Sequence, residues 1–293
     1  MSPTGNTLPG AGFNLAATLD SGQVFHWESS PDSKIYAGLI GNHPTILHQE
    51  ATGSPVTILE GDPEATTSYL GLDHDLTAIL STFPRADPHL ERALDYCPGL
   101  RILRQPRWEC LASFITSPQK NISAIRKISL TLRRRFGTRV EAGGHHFHTY
   151  PEPAVLAEAS ETTLRTCSLG YRARSLHRAA SRIASGEIDL KTIAALPDNT
   201  AREALCNLYG VGEKIADCVL LFAYGRLGAF PVDVWIERVL RELYFKDKNN
   251  VTPQHIRAFA RDHFGENRGY AQQFLFHYAR QNYTGKGGFK TPS

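Results

Sequence analysis

The sequence predicts an α+β protein in which a small antiparallel sheet domain is followed by a larger, all-helical one. Three observations carry that reading. Its 293 residues suffice for one large domain or two ordinary ones. From about 11 to 60, short alternating apolar pieces sit between Gly, Pro, Asn and Asp punctuation, which is the pattern of strands and turns. After Cys97-Pro98-Gly99 the apolar period lengthens to that of helices, and it stays helical to about 283.

In chain order, Val24-Phe25-His26-Trp27 and Lys34-Ile35-Tyr36-Ala37-Gly38-Leu39 read as strands, and Gly41-Asn42-His43-Pro44 reads as a hairpin turn. One or two helices from the 63–97 segment are expected to cover the sheet. The domains are therefore drawn at 1–97 and 98–293. Within the second, helices are expected at 109–116, 122–135, 172–184, 201–208, 213–224, 234–244, 253–264 and 270–283. Many are opened by Ser, Thr, Asp or Pro and closed by Gly, as capping chemistry requires. The tail GKGGFKTPS reads as frayed, and no repeat period stands out.

A composition of 41% hydrophobic, 21% charged and 10% aromatic residues describes a globular chain, not a disordered or collagen-like one. No stretch approaches the roughly 18 to 20 apolar residues of a membrane span, and the start MSPTGNTLPGAG lacks the features of a signal peptide. An intracellular, soluble protein with no membrane partner is expected. The five cysteines contain no CxxC pair, so neither a zinc knuckle nor a closely spaced four-cysteine cluster is written here. His145-His146-Phe147-His148 has no carboxylate or cysteine near enough to complete a metal site, so an interdomain loop is expected there and no metal. A net charge of +3 permits nucleic-acid binding without demanding it, and 23 arginines against 9 lysines suit phosphate recognition. Arg133-Arg134-Arg135 falls at a helix end, where it either complements the dipole or meets phosphate.

The stretch 205–243 carries chemistry. A helix leads into Tyr209-Gly210-Val211-Gly212-Glu213-Lys214, a second helix follows, and Pro231-Val232-Asp233 opens a third. Two glycines around one apolar residue allow a tight reversal and leave backbone N–H groups at a helix start, where a phosphate can be held. The same glycines could simply close a helix. Lys214 and Cys218 are four apart and share a face, while Ile215, Val219 and Phe222 form an apolar stripe on another. A partly buried lysine beside the positive end of a helix has its ammonium form disfavoured, the condition a nucleophilic amine requires. Asp233 can cap its helix, and its carboxylate can also stabilise a developing cation.

With these residues, 205–243 resembles the helix-hairpin-helix, glycine-proline-aspartate superfamily of DNA base-excision glycosylases, through LYGVGEKIADCVLLF followed by PVDVW. Ser21-Gly22-Gln23-Val24-Phe25-His26-Trp27, GLRILRQPRWECLASFI at 99–115, Leu169-Gly170-Tyr171-Arg172-Ala173-Arg174 and Tyr270-Ala271-Gln272-Gln273-Phe274-Leu275-Phe276 narrow it to the 8-oxoguanine DNA glycosylase family. The resemblance implies that Lys214 attacks the sugar C1′, expels the oxidised base and leaves a Schiff base whose elimination nicks the strand. Asp233 would stabilise charge at the sugar, and no metal or organic cofactor would be needed. The flipped base would lie between Phe276 and Cys218 with Gln272 on its Watson–Crick edge. The Gly22 carbonyl would accept the N7 proton that distinguishes 8-oxoguanine from guanine. Tyr171 would wedge into the stack, Arg172 would face the estranged base, and the Gly210-Val211-Gly212 turn would hold a phosphate. The implied partner is double-stranded DNA bearing oxidised guanine, bound by a monomer in the nucleoid or cytoplasm of a bacterium or the nucleus of a eukaryote.

The chain also departs from the family. Where better-known members carry a run of asparagines, Pro118-Gln119-Lys120-Asn121 stands, so Gln119 is expected to fill the gap left by the base, with Asn121 beside it. Ala124 replaces an arginine that reads the opposite cytosine, Trp235 a histidine expected at a phosphate, and Ala279 an acidic residue. Two other readings remain open. One keeps the fold and changes the substrate to alkylated purines, against which Lys214 counts. The other is a DNA-binding module without catalysis, against which Lys214 and Asp233 count together.

Overall fold

In a computed structural model, residues 6–30, 32, 34–246 and 250–283 are described. The basic tail expected to be frayed lies outside them.

Five strands, β1 Asn6–Leu8, β2 Glu28–Ser30, β3 Ile35–Ile40, β4 His43–Gln49 and β5 Val56–Glu60, form one antiparallel sheet in the order β1-β5-β4-β3-β2. Ile40 pairs with His43, so the turn is Gly41-Asn42 alone, and His43 and Pro44, expected within it, open β4. Gly41 takes a φ of +61° there, the geometry such turns demand.

Two expectations in this region fail, each for its own reason. Residues 15–20 form helix α1 (Leu15–Asp20), capped by the Asn14 side chain at 2.9 Å from the Ala17 N–H. Leu15, Thr18 and Leu19 are its buried face, a helical spacing hidden inside a strand-like neighbourhood. Val24-Phe25-His26-Trp27 is not a strand either. Its side chains alternate between two cores: Val24 and Trp27 enter the sheet's core, and Phe25 enters the helical one. The apolar run is thus divided between two cores without a ladder.

The 63–97 segment holds three helices, α2 Pro63–Tyr69, α3 Leu76–Ser81 and α4 Pro88–Tyr96, of which one covers the sheet, within the one or two expected. Only α2 serves the sheet, through Tyr69 and the following Leu70. Leu76, Ile79, Leu90 and Ala93 of α3 and α4 join the helical core, while Leu103 from beyond the break joins the sheet's.

The rest is α5 Arg107–Ile115, α6 Ile122–Phe136, the hairpin β6 Arg139–Ala142 with β7 His145–His148, α7 Pro153–Glu158, α8 Glu161–Leu164, α9 Arg172–Ala184, α10 Asp198–Cys206, α11 Glu213–Tyr224, α12 Val234–Tyr244, α13 Pro253–Phe264 and α14 Arg268–Asn282. The hairpin replaces the loop expected around His145-His146-Phe147-His148; its alternation sends successive side chains to opposite faces. All five cysteines are free. No helix among the described residues is long and apolar enough to cross a membrane.

Arg133 is not a phosphate ligand. It is buried and ion-paired with Glu109 of α5, whose carboxylate also lies 3.1 Å from His26 Nδ1. Burial alone would raise the Glu109 carboxyl, but Arg133 and His26 hold it down at about 2. The cluster ties the Val24–Trp27 segment to the helical body. Glu109→Gln would leave a buried guanidinium without its counter-charge, and a loss of about 3–5 kcal/mol is expected in urea unfolding at neutral pH. The contribution is full above the free carboxyl value of 4.5 and fades as pH falls toward 2. A loss below about 1 kcal/mol would show that the pair only breaks even against its desolvation.

Candidate active site

The hairpin between α10 and α11 is built by packing. Gly210 has a φ of +82°, and a Cβ there would lie 2.3 Å from Ser175 Oγ on α9, so glycine is required for both reasons. The Val211 side chain is buried and its N–H donates to the Leu208 carbonyl at 3.0 Å, so this residue holds the turn together and does not itself offer a phosphate donor. Gly212 opens α11 with extended backbone, no capping side chain and open space where a Cβ would be. The N-terminal N–H groups of α11 are thus approachable by an anion.

Lys214, the second residue of α11, points back toward α5. Its Nζ donates to Ser117 Oγ at 3.3 Å and stands 5.2 Å from the centroid of the Phe114 ring. One turn on, Cys218 is buried, and burial pushes its thiol up to about 12 against the lowering pull of Lys214. Asp233 caps α12, accepting from the Ile236 N–H at 2.8 Å. Burial raises its carboxyl, while the Ile236 N–H and Lys214 oppose the shift.

These groups open onto one cavity of about 800 Å³, lined on its other sides by Gly22, Gln119, Asn121, Trp235, Gln272 and Phe276. Of the candidate catalytic, base-binding and DNA-binding residues, all but Val211, Tyr171 and Arg172 line it, and neither Ala124 nor Ala279 is part of its wall. Gln272 is 4% exposed, and its Oε1 has no partner among the described residues, an acceptor left for a ligand. Phe276, one turn along α14, is half-buried at the same wall. Gln119 is exposed at the centre of a turn closed by the Lys120 N–H on the Ser117 carbonyl, with a φ of +54° that is uncommon for its residue type. Asn121 uses its side chain to cap α6, accepting from the Ala124 N–H at 2.9 Å.

Arg172 departs from expectation. It is 5% exposed, and its guanidinium donates to the Pro118 carbonyl at 2.8 Å and to the Leu169 carbonyl at 3.1 Å. It is spent holding the 117–120 turn in place. Tyr171 stands above it, 56% exposed, with the guanidinium carbon 4.4 Å from its ring centroid. Trp235 meets the Tyr283 ring edge-on and carries Arg238 over its face.

Sequence reasoning missed Ser117, Phe114 and Arg280 at the cavity and the exposed Tyr209 beside it. Arg280 follows Gln272 and Phe276 at four-residue steps on α14, a spacing that could have flagged it. Tyr209 holds Arg174 and Arg178 over its ring at 5.5 and 4.5 Å, so both guanidinia sit beside the hairpin. No local signal marks Ser117.

A helix-hairpin-helix whose lysine and helix-capping aspartate face a cavity large enough to admit a base is the arrangement of a DNA glycosylase. Residues 112–264 match the model of the HhH-GPD superfamily of base excision DNA repair proteins, and residues 7–111 match that of the 8-oxoguanine DNA glycosylase N-terminal domain. The chain belongs to this family. A Methanothermobacter thermautotrophicus protein named as a probable N-glycosylase/DNA lyase is 34% identical over 67% of this chain and 68% of its own length. The Saccharomyces cerevisiae N-glycosylase/DNA lyase is 32% identical over 89% of this chain and 82% of its own. Among solved structures, the Clostridium acetobutylicum 8-oxoguanine glycosylase/lyase, in complex with double-stranded DNA containing cytosine opposite 8-oxoguanine, superposes with a TM-score of 0.84 at 34% identity over 92% of both chains.

Proposed function

We propose that this protein flips 8-oxoguanine out of duplex DNA, cleaves its N-glycosidic bond through Lys214 and nicks the resulting abasic strand by β-elimination. The observation that carries the reading is that Lys214, on the helical core, and Gly22, on the loop leaving α1, face one cavity large enough to admit a base. A nucleophile and a reader of the base are thereby brought together from positions far apart in sequence.

In this scheme the Lys214 amine attacks C1′ as the C1′–N9 bond breaks, and the base departs with its bonding electrons and takes up a proton. Loss of a proton from the attached amine and ring opening give the Schiff base. Removal of a C2′ proton then expels the 3′ phosphate. Asp233, held at the start of α12 within the field of Lys214, stabilises positive charge on the sugar as the bond breaks. Phe276 and Cys218 take the two faces of the base, and Gln272 its Watson–Crick edge. Tyr171 supplies the wedge and Gln119 fills the vacated space. The α11 N-terminus binds backbone phosphate, with Arg174, Arg178 and Trp235 flanking it. The chemistry runs on lysine and carboxylate alone and calls for no cofactor. The protein acts as an intracellular monomer on double-stranded DNA.

Borohydride trapping on duplexes carrying 8-oxoguanine opposite each of the four bases tests the reading. Adducts are expected on all four, with yields differing by less than about tenfold, because Ala124 offers no hydrogen bond to the partner base. Ala124→Arg, facing cytosine, is expected to sharpen preference for that base by about tenfold, the low end of one bidentate contact. No adduct and no released base on any duplex would overturn the assignment.

A further inference from the structure

Guanine and 8-oxoguanine differ at N7 and C8, so a single carbonyl can tell them apart only if it stays in place. A carbonyl free to swing away from an unprotonated N7 would lose its power to reject guanine. The backbone around Gly22 is held accordingly. Arg280 Nη2 donates to the Asp20 carbonyl at 2.7 Å, Gln273 Nε2 to the Ser21 carbonyl at 2.9 Å, and Gln105 Nε2 to the Gln23 carbonyl at 2.8 Å. The Gln23 side chain is itself fixed to the Arg101 carbonyl at 2.7 Å and to the Leu103 N–H at 2.9 Å. In the run 20–23, the Gly22 carbonyl alone has no hydrogen-bond partner among the described residues.

Two of these holds come from α14, the helix that also presents Gln272 and Phe276 to the cavity. Gln273 is 2% exposed, and its bond to Ser21 spans 252 positions of sequence. The second Arg280 terminal nitrogen, Nη1, is buried without a partner among the described residues and lies 3.4 Å from where a Gly22 Cβ would be. One rigid element therefore sets both the seat of the base and the backbone that reads it.

Given the activity proposed above, we infer that Gln273 and Arg280 are positioning residues for lesion discrimination, which clamp the Asp20–Ser21 backbone from α14 so that the Gly22 carbonyl stays aimed at the base. They touch neither C1′ nor Lys214. Their removal should weaken reading of the base and spare chemistry that needs no base.

The test compares two substrates in single-turnover reactions of the full chain: a duplex with 8-oxoguanine opposite cytosine and the same duplex with a preformed abasic site. Arg280→Met and Gln273→Leu are each expected to slow 8-oxoguanine release by about tenfold or more, the scale of a misplaced contact. Nicking of the abasic site should stay within about twofold of wild type, and Arg280→Lys should recover most of the release rate. Equal loss on both substrates, or no loss on either, would overturn the inference. The reading it rests on fails differently: wild type itself would then nick abasic sites and release no 8-oxoguanine.

Discussion

Lys214→Gln is expected to abolish release of 8-oxoguanine and formation of the borohydride-trapped adduct, while the affinity for lesion duplex changes by less than about threefold. Glutamine keeps a polar head and most of the aliphatic stem, so the cavity wall and the α11 start are preserved, but it has no amine for the proposed attack on C1′. Removing a nucleophile typically costs far more than removing a contact, and a fall of at least about 10³-fold is expected here. Gel-shift titration and single-turnover release on the same duplex separate the two effects. A variant that still released base within tenfold of wild type would move the nucleophile elsewhere, with Lys120 on the neighbouring turn the first to examine.

Gly22→Ala is expected to cost about 10²-fold in 8-oxoguanine release, with a smaller effect on abasic nicking. Two causes add. The φ of +84° is disfavoured for alanine by about 1–2 kcal/mol, which should appear as lost stability in urea. The new methyl would also stand 2.5 Å from Ile122 Cδ1 and 3.2 Å from Phe276 Cε1, so the ring proposed to stack on the base must give way or the carbonyl must move. If release stayed at the wild-type rate in a variant destabilised as described, the Gly22 carbonyl would not be the atom that reads the lesion.

What could be read from the sequence follows from how local each signal is. Helices α12 and α13 begin where Asp233 and Thr252 cap them, because a cap acts within one turn, whereas α9 and α11 match their expected bounds through their apolar stripes, without a capping side chain. The Lys214–Cys218 pair was legible from its spacing, whereas Gln272 and Phe276 were marked only by the family resemblance, because an aromatic at helical spacing reads as core. Long-range partners were not legible. The alternation of Val24-Phe25-His26-Trp27 is shared between two cores, and nothing within four residues shows that the second exists. Likewise Arg133 and Arg172 read as surface cations until the Glu109 carboxylate and the Pro118 carbonyl are brought over them. The boundary drawn at 97 meets the same limit. Residues 76–97 lie before it in sequence and bury their apolar side chains beyond it.

Cys218 gives the site a chemical quality of its own. Oxidation of a cysteine by peroxide proceeds through the thiolate. A thiol pushed up to about 12 holds its proton throughout the physiological range, and this one is only 3% exposed. The oxidising conditions that create 8-oxoguanine therefore find little at Cys218 to react with. The protein presents a soft, polarisable sulfur to its cavity and holds it there as the protonated thiol.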